Sequence, residues 1–122
     1  MPTSRKAAAA IRLLVLDVDG TLTDGRLYYG PRGEAMKVFH VRDGQGIKRL
    51  DAAGIHVAVI SGRTSKMVAA RCRELGVAHV IQVIYTFTRS FEHSLAFPDR
   101  VRQTLAEKGL DDPAGVAVLV KF

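Results

Sequence analysis

Leu13-Leu14-Val15-Leu16 is an unbroken apolar run, short enough for a strand and lacking the alternation of a half-exposed one. It predicts a strand buried on both faces of a parallel sheet, and it stops at Asp17. A second run, Ile55-His56-Val57-Ala58-Val59-Ile60, is mostly β-branched and predicts a central parallel strand. Between them Ile47, Leu50 and Ala53 form an apolar stripe on a helix that Asp43-Gly44-Gln45-Gly46 opens and Gly54 ends. A further helix ends at Leu75, before Gly76. The turn cluster Gly30-Pro31-Arg32-Gly33 separates Leu27-Tyr28-Tyr29 from Ala35-Met36-Lys37-Val38-Phe39, which predicts a β-hairpin within residues 26–41. Near the end of the chain, Leu105 to Leu110 with Gly109 reads as a helix and Val116 to Val120 as a strand. The order predicts an α/β fold around a central parallel sheet.

The 122 residues support a single domain, 1–122, and 48% apolar content excludes a disordered chain. The formal charge of +6 suits either an anionic small substrate or a nucleic acid. Lys and Arg are scattered and no nucleic-acid motif is present, so no nucleic-acid partner is expected. Cys72 has no partner for a disulfide and no local motif, which makes it a small helix residue rather than a nucleophile. Residues 1–10 have a basic start and an apolar follow-on like a signal peptide, but Arg12 interrupts the run and Asp17 ends it. No stretch approaches the ~20 apolar residues of a membrane span, so a cytoplasmic protein without a membrane partner is expected.

The candidate chemistry sits where the strands stop. Asp17-Val18-Asp19-Gly20-Thr21 places two carboxylates one residue apart at a strand end, where open α/β sheets bind ligands. Asp17 suits a nucleophile or metal ligand and Asp19 a proton donor and acceptor, while two close like charges favour a divalent cation. Oxygen-only ligands point to Mg²⁺. Gly20 permits a tight turn and Thr21 adds a hydroxyl; an Asp-rich turn capping a strand is the plainer alternative. After the second strand, Ser61-Gly62-Arg63 offers a hydroxyl, a close-approach glycine and a guanidinium, a plausible phosphate cradle. Alternatively Ser61 merely ends the strand while Thr64 or Ser65 caps the next helix. Asp43 reads as an N-cap, and His40 as structural rather than catalytic.

Asp-x-Asp-Gly-Thr after a hydrophobic strand resembles the first motif of the haloacid dehalogenase-like phosphohydrolases. The segments Leu22 to Gly30, Lys37 to Ile47 and Val59 to Arg63 resemble one subfamily, the 3-deoxy-D-manno-octulosonate 8-phosphate phosphatases of lipopolysaccharide core synthesis. The resemblance covers about residues 13–82. It implies a Rossmann-like three-layer fold with a small hairpin flap and Mg²⁺-dependent hydrolysis of a sugar-acid phosphate. It implies catalytic roles for Asp17 and Asp19, both also metal ligands, and phosphate or substrate contacts from Asp19, Thr21, Ser61, Gly62 and Arg63, with a substrate contact from Asp43 as the alternative to its capping role. It further implies a homotetramer assembled through the flap, with Tyr28, Tyr29, Val38 and Phe39 as contacts; packing of the hairpin on its own domain is the alternative.

After Gln82 the resemblance deteriorates, although Leu105 to Leu110 and Val116 to Val120 still look like the family's next helix and strand. Val83 to His93 holds no Lys, although the family's third motif carries one there, and Arg89 or Arg100 would offer different geometry. An acidic metal loop is expected after the strand at Val116, where the chain has Lys121-Phe122; Asp111 and Asp112 precede the strand. The expectation is a truncated or frame-disrupted member lacking the C-terminal part of the sheet. A non-catalytic remnant that folds or assembles through its hairpin is the alternative function, and a receiver-like signalling domain is disfavoured because it lacks these motifs.

Overall fold

The computed structural model describes residues 4–82, 106–107 and 116–119. In chain order the elements are α1 (Ser4–Ala9), β1 (Leu13–Leu16), β2 (Tyr28–Gly30), β3 (Gly33–Met36), α2 (Val41–Ala52), β4 (His56–Ser61), α3 (Lys66–Leu75), β5 (His79–Gln82) and β6 (Val116–Leu119). Four strands form one parallel sheet in the order β5-β4-β1-β6, and β2 pairs with β3 as a separate antiparallel hairpin.

The sheet is apolar on both faces because β1 and β4 alternate between two hydrophobic clusters. Leu16, Val57 and Val59 join Val18, Ile47, Val68 and Cys72 on the face covered by α2 and α3. Leu13, Val15, Ala58 and Ile60 pack on the opposite face. The unbroken apolar runs are what a strand buried on both sides requires. Cys72 is a core residue whose thiol burial pushes above its usual range, with Arg71 opposing. Among the described residues no helix is long and apolar enough to cross a membrane.

The helix ends follow local chemistry. Ser65 caps α3, its hydroxyl accepting the N–H groups of Met67 and Val68, and Gly76 closes it in the left-handed conformation at φ 73°. The start of α2 differs from the expectation. It begins at Val41, and its cap is His40, whose Nδ1 accepts the N–H of Arg42 at 3.0 Å. Asp43 is therefore not the N-cap; it lies exposed in the first turn, where its charge suits the helix dipole. Ala53, expected in the apolar stripe, is the exposed C-cap, while Ile47 is buried.

The second hairpin strand is shorter than expected, ending at Met36, so Lys37 to His40 form an irregular link into α2. The segments Val83 to His93 and Leu105, and the residues Arg100, Lys108 to Leu110, Asp111 and Asp112, lie outside the described residues. Ala106 and Glu107 are helical, and the strand expected at Val116 to Val120 is β6.

Val59 is fully buried, whereas Val41 is 78% exposed. Val59→Ala removes two methyl groups from the core and is expected to cost about 2 kcal/mol in urea unfolding, while Val41→Ala changes stability by less than about 0.5 kcal/mol.

Candidate active site

The register sets the site. Leu16 of β1 lies beside Val59 of β4, so the loops leaving these two strands emerge together at the carboxyl edge of the sheet. Asp17, Asp19 and Thr21 leave from β1; Ser61, at the last position of β4, leads to Gly62 and Arg63.

The first loop is pinned to the core. Val18 is fully buried, and its carbonyl accepts N–H groups from Thr21 (3.1 Å), Leu22 (2.9 Å) and Thr23 (3.1 Å). Gly20 takes φ 81°, where a Cβ would be strained, and its N–H shares the Thr23 hydroxyl with that of Gly25, both at 3.2 Å. This folding holds Asp17 half-buried. Burial raises the affinity of its carboxyl for a proton; a main-chain hydrogen bond from Val18 opposes the rise, and the negative charge of Asp19 adds to it.

Asp19 meets the flap. The Lys37 ammonium lies 2.8 Å from Asp19 Oδ1 and 2.9 Å from Glu34 Oε1. From the other side Arg63 places Nη2 2.5 Å from Glu34 Oε2 and Nη1 3.5 Å from Asp19 Oδ2. Two carboxylates and two cations thus alternate in a closed ring that joins the β1 loop, the flap and the β4 loop. The Lys37 side chain is only 4% exposed. Burial works against its charge, but the hydrogen bonds to Asp19 and Glu34 outweigh it and hold the ammonium above its usual range. Arg63 shows the same balance, with burial outweighed by Glu34 and Asp19. Glu34 is held below the usual carboxylate range, chiefly by its bond with Lys37, against the effect of burial.

The second loop is also fixed. Ser61 is buried and its Oγ accepts the Arg63 N–H at 3.2 Å. The N–H of Ser65 donates to the side-chain carbonyl of Gln82, tying the entry of α3 to the end of β5. Beside the site, an open cavity of about 520 Å³ lies between the β1 loop and the flap root, lined by Thr21, Asp24, Val38, His40, Arg42 and Asp43 among others.

Asp17, Asp19, Thr21, Gly62 and Arg63 therefore lie on two adjoining loops with Ser61 at the end of β4, Arg63 directly faces Asp19, and Asp43 stands apart in the first turn of α2. Glu34 and Lys37 were missed. Strand alternation puts positions three apart on opposite faces, yet the strand ends at Met36, and the Lys37 ammonium beyond it reaches Glu34. Glu34, the one acidic residue of the flap, three positions before Lys37 was the available signal. No group of three or more His, Cys, Asp or Glu side chains among the described residues is placed to hold a metal. Both carboxylate oxygens of Asp19 face cations, whereas the Asp17 carboxyl, half-buried beside a like charge, has the chemistry a hard divalent cation relieves.

No family model matches the chain. Over 75 residues it is 52% identical to the 3-deoxy-D-manno-octulosonate 8-phosphate phosphatases KdsC of Salmonella typhi and Escherichia coli (strain K12), and 49% identical to that of Yersinia pestis. The match takes in 62% of this chain, which spans about 40% of the length of these relatives. The crystal structure of the Yersinia pestis phosphatase aligns with a TM-score of 0.73 at 37% identity, over 95% of this chain and 57% of that one. The Moraxella catarrhalis phosphatase, solved with magnesium, phosphate and KDO, aligns at 0.73 and 33% identity over 95% and 60%. The cobalt-bound Haemophilus influenzae phosphatase aligns at 0.74 and 36% identity over 94% and 61%. With the parallel sheet, the hairpin flap and the paired loops at one sheet edge, these likenesses relate the chain, over the part it shares with them, to the 3-deoxy-D-manno-octulosonate 8-phosphate phosphatases.

Proposed function

We propose that this site hydrolyses the phosphate ester of a sugar acid, 3-deoxy-D-manno-octulosonate 8-phosphate, with Mg²⁺ as cofactor. The observation that carries the reading is the meeting of the Asp17–Asp19 loop with Ser61-Gly62-Arg63 at one carboxyl edge, with two cations on Asp19. In this reading an oxygen of Asp17 attacks phosphorus and the bond to the sugar oxygen breaks, the leaving oxygen taking a proton from Asp19. Water then attacks the phosphoryl–Asp17 bond, returns a proton to Asp19, and phosphate departs. Lys37 and Arg63 hold the Asp19 carboxylate in place between the two steps. Ser61 and the Gly62 backbone border the phosphoryl group, Thr21 lines the loop, and Arg63 faces the anionic remainder of the substrate.

The charge balance supports a metal. With Asp19 carrying the proton it gives to the leaving oxygen, Asp17 and Glu34 against Lys37 and Arg63 leave no net positive charge to meet a phosphate dianion. A divalent cation held through Asp17 would supply electrostatic stabilisation of the transferring group and make the site net positive. The same reading places the reaction in the cytoplasm, in lipopolysaccharide core synthesis, on the substrate named for the relatives.

A homotetramer through the flap belongs to this proposal. Leu27, Tyr29, Met36 and Val38 are each more than half exposed and all lie on the flap, more apolar surface than so small a segment usually leaves to water. Phe39 behaves differently: it packs on the core under the Arg71 guanidinium, 5.9 Å from the ring centroid.

Two outcomes are expected. Purified chain releases phosphate from the octulosonate phosphate only with Mg²⁺, and Asp17→Asn lowers kcat by at least about 10³-fold without loss of the circular dichroism signal. No turnover by folded wild-type chain contradicts the reading. Light scattering gives a tetramer that Tyr29→Ser combined with Val38→Ser shifts towards monomer; a monomeric wild-type chain contradicts the assembly.

A further inference from the structure

Lys37 is bound more closely than a tie between flap and sheet requires. An ammonium has three N–H donors. Two of them go to Asp19 and Glu34, and among the described residues the third has no partner. The group lies against the carboxylate two residues beyond Asp17, and its side chain is almost wholly removed from water. In such surroundings a charge acts more strongly on a neighbouring anion than it would in water. Arg63 reaches the same two carboxylates from the β4 loop, so two cations converge on the mouth of the site from opposite sides. Glu34, bonded to both, fixes their separation.

We propose that Lys37 binds the transferring phosphoryl group, donating its third N–H to a phosphoryl oxygen, with Glu34 as the positioning residue that holds the ammonium there. This rests on the phosphatase reading above. A phosphoryl group in transfer spreads negative charge over three oxygens, and its stabilisation depends on cations already in place. A flap lysine that supplies one of them makes flap closure and charge compensation a single event: moving the hairpin away removes the cation as well. Glu34 prevents Lys37 from settling on Asp19 alone, and its second oxygen keeps Arg63 beside it.

The test is titration of the purified chain with inorganic phosphate in saturating Mg²⁺, by calorimetry and by NMR of protein labelled with ¹⁵N at lysine Nζ. The Lys37 Nζ–H signal is expected to shift on phosphate addition. Lys37→Met is expected to weaken phosphate binding by about tenfold or more, and Lys37→Arg, which keeps the charge, by about threefold. Glu34→Gln is expected to raise the Kd by a smaller factor and to broaden the Lys37 signal. Phosphate affinity of Lys37→Met within twofold of wild type, an unmoved Lys37 signal at saturating phosphate, or no phosphate binding by wild type each overturns the proposal. The NMR arm uses the unaltered chain, so it decides even if Lys37→Met loses its native circular dichroism. Phosphate binding that depends on Lys37 without turnover sinks the phosphatase reading and not this one; turnover with unchanged binding in Lys37→Met does the reverse.

Discussion

The alternating ring Asp19–Lys37–Glu34–Arg63 is the interaction that makes a site out of three separate pieces of chain. A two-stranded hairpin has little stability of its own, and this one leaves Leu27, Tyr29 and Met36 largely in water. Apolar burial therefore anchors only its root, through Phe39 and Leu22. The ring fixes the rest. Removing an ammonium from water is costly unless its charge is matched, and Lys37 has two carboxylates within hydrogen-bonding distance. Among the described residues every buried side-chain polar atom has at least one partner.

The sheet supplies what the ring needs to close. Parallel pairing of β1 with β4 brings the Asp19 and Arg63 loops to one edge, and full burial of Val18 keeps the first loop from drifting. Gly20 and the shared Thr23 hydroxyl then set the direction of the turn. A fold with few precise elements thus suffices: two adjacent strand ends, one pinned loop and one flap carrying a Glu and a Lys.

Legibility in the sequence followed the range of the interactions involved. β1, β4 and the ends of α3 rest on local patterns: unbroken apolar runs, a hydroxyl cap at Ser65 and a left-handed glycine at Gly76. These were readable. The cap of α2 was misjudged because Asp43 is the commoner capping type, whereas an imidazole nitrogen at His40 does the same work one turn earlier. Asp17, Asp19 and Ser61 were readable because the chemistry stands beside the strand that positions it. Glu34 and Lys37 were not, because the Asp19 and Arg63 groups they meet lie 18 and 29 positions away along the chain and strand alternation stops at Met36. The sequence reading gave the acidic pair Mg²⁺ and assigned Arg63 to the substrate, and the structure brings Arg63 and Lys37 beside Asp19.

A double-mutant cycle between Asp19 and Lys37 tests the ring most directly, with Asp19→Asn, Lys37→Met and the pair compared in urea unfolding. Coupling of at least about 1 kcal/mol is predicted, since each single change leaves a partly buried charge facing a lost partner. Additive effects, within about 0.3 kcal/mol, would contradict the account, because flap and sheet edge would then be held together by something else.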